Sequence, residues 1–200
     1  MALPYPDVTG ALVAGGAARR FGGVAKGLLR VDGEPLAARS LRLFSRLFAG
    51  ALIVANQPAP YARLGAPVVA DRIPGRGSPG GVHAALHAAT TPWVFTAACD
   101  MPFLSASGVA LLAGKREGAL AVVPRWGGRL EPLHALWSRG CLPALEQALA
   151  EGEPSLHDLA ALVGARIVEE SEWRMIDPDG RAFENVNTPE DAARLGLTVR

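Results

Sequence analysis

AGGAARRFGGVAKGLL, residues 14–29, follows directly on the short apolar run Ala11-Leu12-Val13. Five glycines, two arginines and one lysine fall within these sixteen residues. An apolar strand that empties into a flexible, cationic loop is suited to holding a phosphate chain. Gly15 and Gly16 let the backbone turn sharply and present N–H groups to an anion or a base edge. Arg20 offers a planar fork of donors for phosphate oxygens, and Lys26 a compact positive charge. Two familiar phosphate loops are excluded. Lys26 lies between Ala25 and Gly27, which breaks GxxxxGK[ST], and Gly15-Gly16-Ala17-Ala18-Arg19-Arg20 breaks GxGxxG.

Outward from this loop, short apolar runs alternate with helical patterns. Strands are expected at Ala11–Val13, Ala51–Ala55, Pro67–Ala70, Trp93–Ala97, Ala119–Pro124, His134–Trp137 and Arg166–Glu169. Helices are expected at Pro35–Phe48, Gly81–Ala89, Ser105–Ala113, Gly140–Ala150, Ser155–Val163 and Pro189–Leu195. Ser155 with Asp158, and Thr188 with Pro189, Glu190 and Asp191, carry the signals of helix starts. Apolar, non-alternating strands separated by helices imply a mostly parallel sheet covered on both faces, a Rossmann-like three-layer α/β/α fold. Residues 1–200 read as a single domain. Ligands in such sheets bind beyond the carboxyl ends of the strands. The glycine loop, Asp71 and Asp100 all fall at such ends.

The bulk numbers narrow the class. Half of the 200 residues are hydrophobic and 20% are charged, which suits a globular chain with a sizeable core. The net charge of +1 gives no bulk attraction to nucleic acid or membrane. Cys99 and Cys141 form no CxxC and no disulfide framework. MALPYPDVTG lacks the pattern of a signal peptide and no apolar run reaches membrane-spanning length, so a cytoplasmic protein is expected.

The loop resembles the signature of molybdenum cofactor guanylyltransferases: AGG, three variable residues, Arg, an apolar residue and Gly, then Lys-Gly before two apolars. Other segments carry the same likeness. They are Ala98-Cys99-Asp100-Met101-Pro102-Phe103, Asn185-Val186-Asn187-Thr188-Pro189-Glu190-Asp191, Glu131-Pro132-Leu133-His134-Ala135-Leu136 and, loosely, Ser78-Pro79-Gly80-Gly81. They run in the expected order from residue 11 to residue 195. The resemblance implies a nucleotidyltransferase that joins GTP to the phosphate of molybdopterin or Mo-molybdopterin and releases pyrophosphate. It implies Mg²⁺ as cofactor, and it extends the partners to acceptor molybdoenzymes or their chaperones.

On that reading Arg20, Lys26 and Asp100 are the catalytic residues. Arg20 and Lys26 neutralise the triphosphate, and Asp100 holds the metal, since Mg²⁺ needs only one or two carboxylates beside phosphate oxygens and water. The plainer reading of Asp100 is a turn or capping residue before Pro102. Val13, Ala14 and Gly15 supply backbone groups to guanine. Asp71 lies near the nucleoside, where a carboxylate can accept from both donors of guanine. Whether it meets the base, the ribose or the metal stays open. Asn185 and Asn187 serve either the pterin edge or the turn before Thr188. Two positions depart from the family pattern. Ala25 stands where Asp is frequent, and Val54 where some members have Asn, with Asn56 the nearest polar residue.

Other readings remain. A related enzyme could take CTP, with molybdopterin or a sugar phosphate as acceptor. A non-catalytic guanine-nucleotide sensor could keep the loop, although Asp100 argues for catalysis. His83 and His87 have the i, i+4 spacing of zinc helices, but the Glu of HExxH is missing and no third ligand is evident nearby, which favours packed or surface histidines.

Overall fold

A computed structural model of the chain describes residues 2–14 and 25–197. Its elements, in chain order, are β1 (Tyr5–Val13), β2 (Arg30–Val31), β3 (Glu34–Pro35), α1 (Leu36–Leu47), β4 (Phe48–Val54), β5 (Val68–Val69), α2 (Gly77–Ala88), β6 (Trp93–Ala98) and α3 (Ala106–Ala113). There follow β7 (Ala121–Trp126), β8 (Arg129–Leu130), β9 (Ala135–Ser138), α4 (Leu142–Glu151), α5 (Leu156–Leu162), β10 (Arg166–Val168), α6 (Glu170–Trp173) and α7 (Pro189–Arg194).

The main sheet runs β10-β7-β9-β6-β1-β4-β5, with β8 paired to β7, while β2 and β3 form a separate hairpin. The pairs β1–β4, β1–β6, β4–β5 and β7–β10 are parallel. β9 inserts antiparallel between β6 and β7. The sheet is therefore mostly parallel, with one reversed strand inside it.

Side-chain alternation builds the three layers. Val8 and Leu12 of β1, Ile53 of β4, Phe95 of β6, Val122 of β7 and Leu136 of β9 enter one core with Phe44 of α1, Leu112 of α3 and Trp173 of α6. The intervening residues Ala11, Leu52, Val54, Val94, Val123 and Trp137 enter a second core with Leu86 of α2, Leu145 of α4 and Leu159 of α5. A strand with period 2 that is apolar on both faces must be covered twice. Both cores meet that demand.

Most boundaries lie within a few residues of expectation. β1 and β4 are longer than the apolar runs suggested. Phe48 opens β4 without an intervening loop, because its ring packs 5.5 Å from Phe44 and 5.8 Å from Phe95. α2 begins at Gly77, four residues before the expected start. The GSPGG run reads as a turn, yet a Cβ on Gly81 would stand 2.8 Å from Val13 Cγ1, so glycine here lets the helix press against the end of β1. The expected starts at Ser155 and Thr188 are present as the capping boxes Ser155–Asp158 and Thr188–Asp191, and Ser105, expected as the first residue of its helix, is the N-cap of α3.

Candidate active site

Four strands of the parallel part end side by side. Beyond β1, Ala14 N–H donates to the Val54 carbonyl of β4, and the Val13 carbonyl accepts from Cys99 N–H beyond β6. Ala55 N–H likewise reaches the Val69 carbonyl of β5. These bonds bring residues 13–14, 55–56, 71 and 98–100 to one rim, the crevice where open α/β sheets bind ligands.

Lys26 stands at the centre. It begins a single 3-10 turn, Lys26–Leu28, and donates from Nζ to Asp100 Oδ2 at 3.1 Å and to Asn187 Oδ1. The Lys26 and Asp100 side chains are 23% and 14% exposed, so the pair is shielded but reachable. Gly27 makes the placement possible. A Cβ there would lie 3.2 Å from Cys99 Cβ and 3.1 Å from the Tyr61 ring. Glycine therefore lets the backbone of the turn press against the end of β6, where a side chain would crowd Cys99 and Tyr61. Beneath it, burial and then the neighbouring Asp100 carboxylate push the Cys99 thiol up to about 12, so it stays protonated and unreactive.

The C-terminal segment is tied to the same spot. Val186 N–H donates to the Asp100 carbonyl at 2.9 Å. The turn before α7 is held by Asp191, whose Oδ2 accepts from the backbone N–H of both Asn187 and Thr188. The Asn187 amide is thus left to face Lys26. Asn185, by contrast, donates its side-chain N–H to the Phe183 carbonyl at 3.2 Å. Turn chemistry engages Asn185, while Asn187 joins the cationic cluster.

Two cavities open on either side of Val13 and Ser78, which line both. The smaller, about 300 Å³, is bounded by Val54, Ala55, Asn56, Asp71, Gly75, Gly77 and Gly81. In it Asn56 grips Asp71 twice. Its Nδ2 donates to Asp71 Oδ2 at 2.7 Å, and its Oδ1 accepts from Asp71 N–H at 2.9 Å. The larger, about 620 Å³, takes in Asp100, Asn185 and Asn187 together with Arg129, Glu131, Ser155 and His157. Burial raises the Glu131 carboxyl above the usual range, partly offset by Arg129. Ser78 at the first turn of α2, which carries no side-chain cap, adds helix N–H groups to the boundary between the cavities.

The structure therefore brings Lys26, Asp100, Asn187, Val13 and Asn185 to one cleft and places Asp71 in the adjoining one. Gly15 and Arg20 lie outside the described residues. Sequence reasoning missed Asn56 as the holder of Asp71, although it noted the residue. It also missed Arg129, Ser155 and His157, for which no local signal exists; only tertiary packing brings them to the cavity.

A paired cleft of this kind, with a lysine–aspartate centre at the carboxyl ends of a mostly parallel sheet, defines a nucleotidyltransferase. The family model of the MobA-like NTP transferase domain matches residues 10–167. The molybdenum cofactor guanylyltransferase of Desulfosudis oleivorans is 34% identical over 194 residues, covering 96% of each chain. Molybdopterin-guanine dinucleotide biosynthesis protein A of Archaeoglobus fulgidus superposes with a TM-score of 0.78 at 27% identity, over 93% of this chain and 95% of that one. A 2-C-methyl-D-erythritol 4-phosphate cytidylyltransferase of Thermus thermophilus shares the fold, with a TM-score of 0.64 at 20% identity over 92% of this chain and 95% of that one. The chain belongs to the molybdenum cofactor guanylyltransferase family.

Members of the wider nucleotidyltransferase class depend in general on a divalent metal ion. The donor set fits one: Asp100 lines the cleft with a carboxylate, beside the amide oxygens that hard cations accept. No helix among the described residues is long and apolar enough to cross a membrane.

Proposed function

We propose that residues 1–200 act as one cytoplasmic nucleotidyltransferase domain that transfers GMP from GTP to the phosphate of molybdopterin or Mo-molybdopterin. The dinucleotide product then passes to acceptor molybdoenzymes or their chaperones. The observation that carries this reading is the Lys26–Asp100–Asn187 cluster, whose Asp100 and Asn187 line the larger of two adjoining cavities of unequal size.

The smaller cavity suits the guanine nucleoside. Asn56 fixes Asp71 so that its carboxylate can accept from the two guanine donors, a pair that adenine lacks. The Val13 carbonyl and Ala14 N–H are engaged in the sheet. Base contacts from this stretch then fall to the Ala14 carbonyl, the Val13 side chain and Gly15. The larger cavity suits the pterin acceptor, with Asn185 and Glu131 offering amide and carboxyl groups to its edge and Arg129 a planar cation for its phosphate.

In the reaction an acceptor phosphate oxygen forms a bond to the α-phosphorus of GTP, and the bond from that phosphorus to the bridging oxygen breaks, releasing pyrophosphate. Catalysis of this kind is positioning plus charge stabilisation. Lys26 releases Asp100 when nucleotide enters and moves its charge to the phosphate oxygens, and Arg20, on the family resemblance, neutralises the same triphosphate. Asp100, freed from Lys26, would hold Mg²⁺, which when bound neutralises phosphate charge. Asn187 keeps Lys26 aimed at the cleft.

The test is pyrophosphate release with molybdopterin and each of the four NTPs in turn. GTP alone should support turnover. Equal or better turnover with CTP would replace the guanylyl reading by a cytidylyl one. No turnover with any nucleotide would overturn catalysis.

A further inference from the structure

We propose that His83, His87 and Glu146 form a binding site for one zinc-class divalent cation, on the α2–α4 face of the sheet. None of the three lines either substrate cavity. His83 and His87 stand one turn apart on α2. Glu146, 59 residues from His87, comes from α4 and supplies the third ligand that the sequence spacing lacked. The His87 Nε2 lies 2.7 Å from Glu146 Oε1, and the His83 Nε2 lies 3.6 Å from the same oxygen. The three ligand atoms fall within 4.8 Å of one another.

The second observation concerns His83 itself. It is 2% exposed, and neither ring nitrogen has a hydrogen-bond partner. Buried imidazoles are normally satisfied, so one aimed unpartnered at a carboxylate and a second imidazole is the geometry of a ligand. The two rings meet at 72° with centroids 4.5 Å apart, both presenting Nε2 to Glu146. Neighbouring ligands of a tetrahedral zinc are about 3.3 Å apart, between the two nitrogen–oxygen distances found here. Two imidazoles and one carboxylate select zinc or a similar borderline cation over magnesium and calcium, which take oxygen-rich sets.

The placement gives such an ion a structural task. Ser78 and Pro79 in the first turn of α2 line the larger cavity, and α4 leads through a short connection to Ser155 and His157, which line it too. A cation between α2 and α4 would clamp these two stretches together.

Chelator-stripped full-length protein should be titrated with Zn²⁺ by calorimetry and with Co²⁺ by visible absorption. One equivalent of zinc should bind at micromolar or tighter concentration, cobalt should give the absorption of a tetrahedral site, and zinc should raise the melting temperature. His87→Ala and Glu146→Gln alter partly exposed side chains, and each should weaken binding at least about tenfold with unchanged circular dichroism. Asp100→Asn should bind zinc like the parent, which separates this site from the cleft. Absence of binding, or equal binding by the parent and both ligand variants, would overturn the proposal.

Discussion

Replacing His134 with phenylalanine should remove the share of this fold's acid sensitivity that one buried imidazole contributes. His134 is fully buried, ringed by Phe95, Trp173 and Phe183 with centroids 5.3–5.4 Å away. Burial pushes its imidazole down to about 4, against an ordinary 6.5. The unfolded chain therefore takes up a proton near pH 6.5, while the folded chain refuses it until about pH 4. Stability from this residue is complete above 6.5 and is lost as the pH falls towards 4. The whole difference corresponds to ~3 kcal/mol, of which ~2 kcal/mol has gone by pH 5. The phenylalanine variant keeps an aromatic ring in the aromatic cluster and has no proton to bind. Urea denaturation at half-unit steps from pH 7.5 to 4.5 gives both stability curves. Other titrating groups contribute equally to both proteins and cancel in the difference. The gap between parent and variant should change by ~2 kcal/mol between pH 7.5 and pH 5, in favour of the variant at the acid end. Parallel curves would show that His134 is protonated in the folded state and that its apolar surroundings do not govern it.

Three further outcomes follow from the cleft. Asp100→Ala should lower guanylyl transfer by about 10²–10³-fold, the usual effect of removing one electrostatic stabiliser, without loss of cooperative unfolding; steady-state rates near those of the parent would remove Asp100 from the chemistry. Asn56→Ala deletes both bonds that orient Asp71, so the preference for GTP over ATP in kcat/KM should narrow by roughly tenfold, the equivalent of one hydrogen bond to a charged group. An unchanged ratio would mean that Asp71 does not read the base. Gly27→Ala forces a methyl to within 3.2 Å of the Cys99 Cβ and should cost about 1–3 kcal/mol, read as a lowered denaturant midpoint, together with a fall in kcat as Lys26 is displaced. Loss of stability with full kcat would separate the turn's packing from the placement of the lysine.

The features that could be read in advance are those set by neighbours along the chain. Ser155 with Asp158, and Thr188 with Asp191, announce their helices because a cap and its partner lie three residues apart. The strands are legible because their apolar runs must be buried on both faces. The direction of β9 is not legible, since a four-residue apolar strand pairs equally well either way until the connections on each side are known. The early start of α2 is hidden for a related reason. Its glycines suggest a turn until Val13 is seen to need the space.

The same division explains the cleft. Lys26 and Asp100 could be singled out because each sits beside local punctuation, a glycine in one case and a proline two residues on in the other. The split role of the two asparagines could not. Asn185 and Asn187 share one turn and one side-chain chemistry, and only the 161-residue reach from Lys26 to Asn187 distinguishes them. Asp191 completes the distinction by taking over the backbone N–H groups of the turn, which would otherwise compete for the Asn187 amide. A helix cap therefore contributes indirectly to aiming the lysine. Thr188→Ala should consequently cost about 1 kcal/mol of stability through the lost cap while leaving the Asp191 bond to Asn187 N–H in place, so kcat should hold. Asp191→Ala keeps the Thr188 cap, which accepts from the backbone N–H of residue 191, but removes the carboxylate that holds the Asn187 and Thr188 N–H groups, and kcat should fall along with stability. Equal kcat in the two variants, measured well below their melting temperatures, would show that the cap stabilises α7 without positioning Lys26.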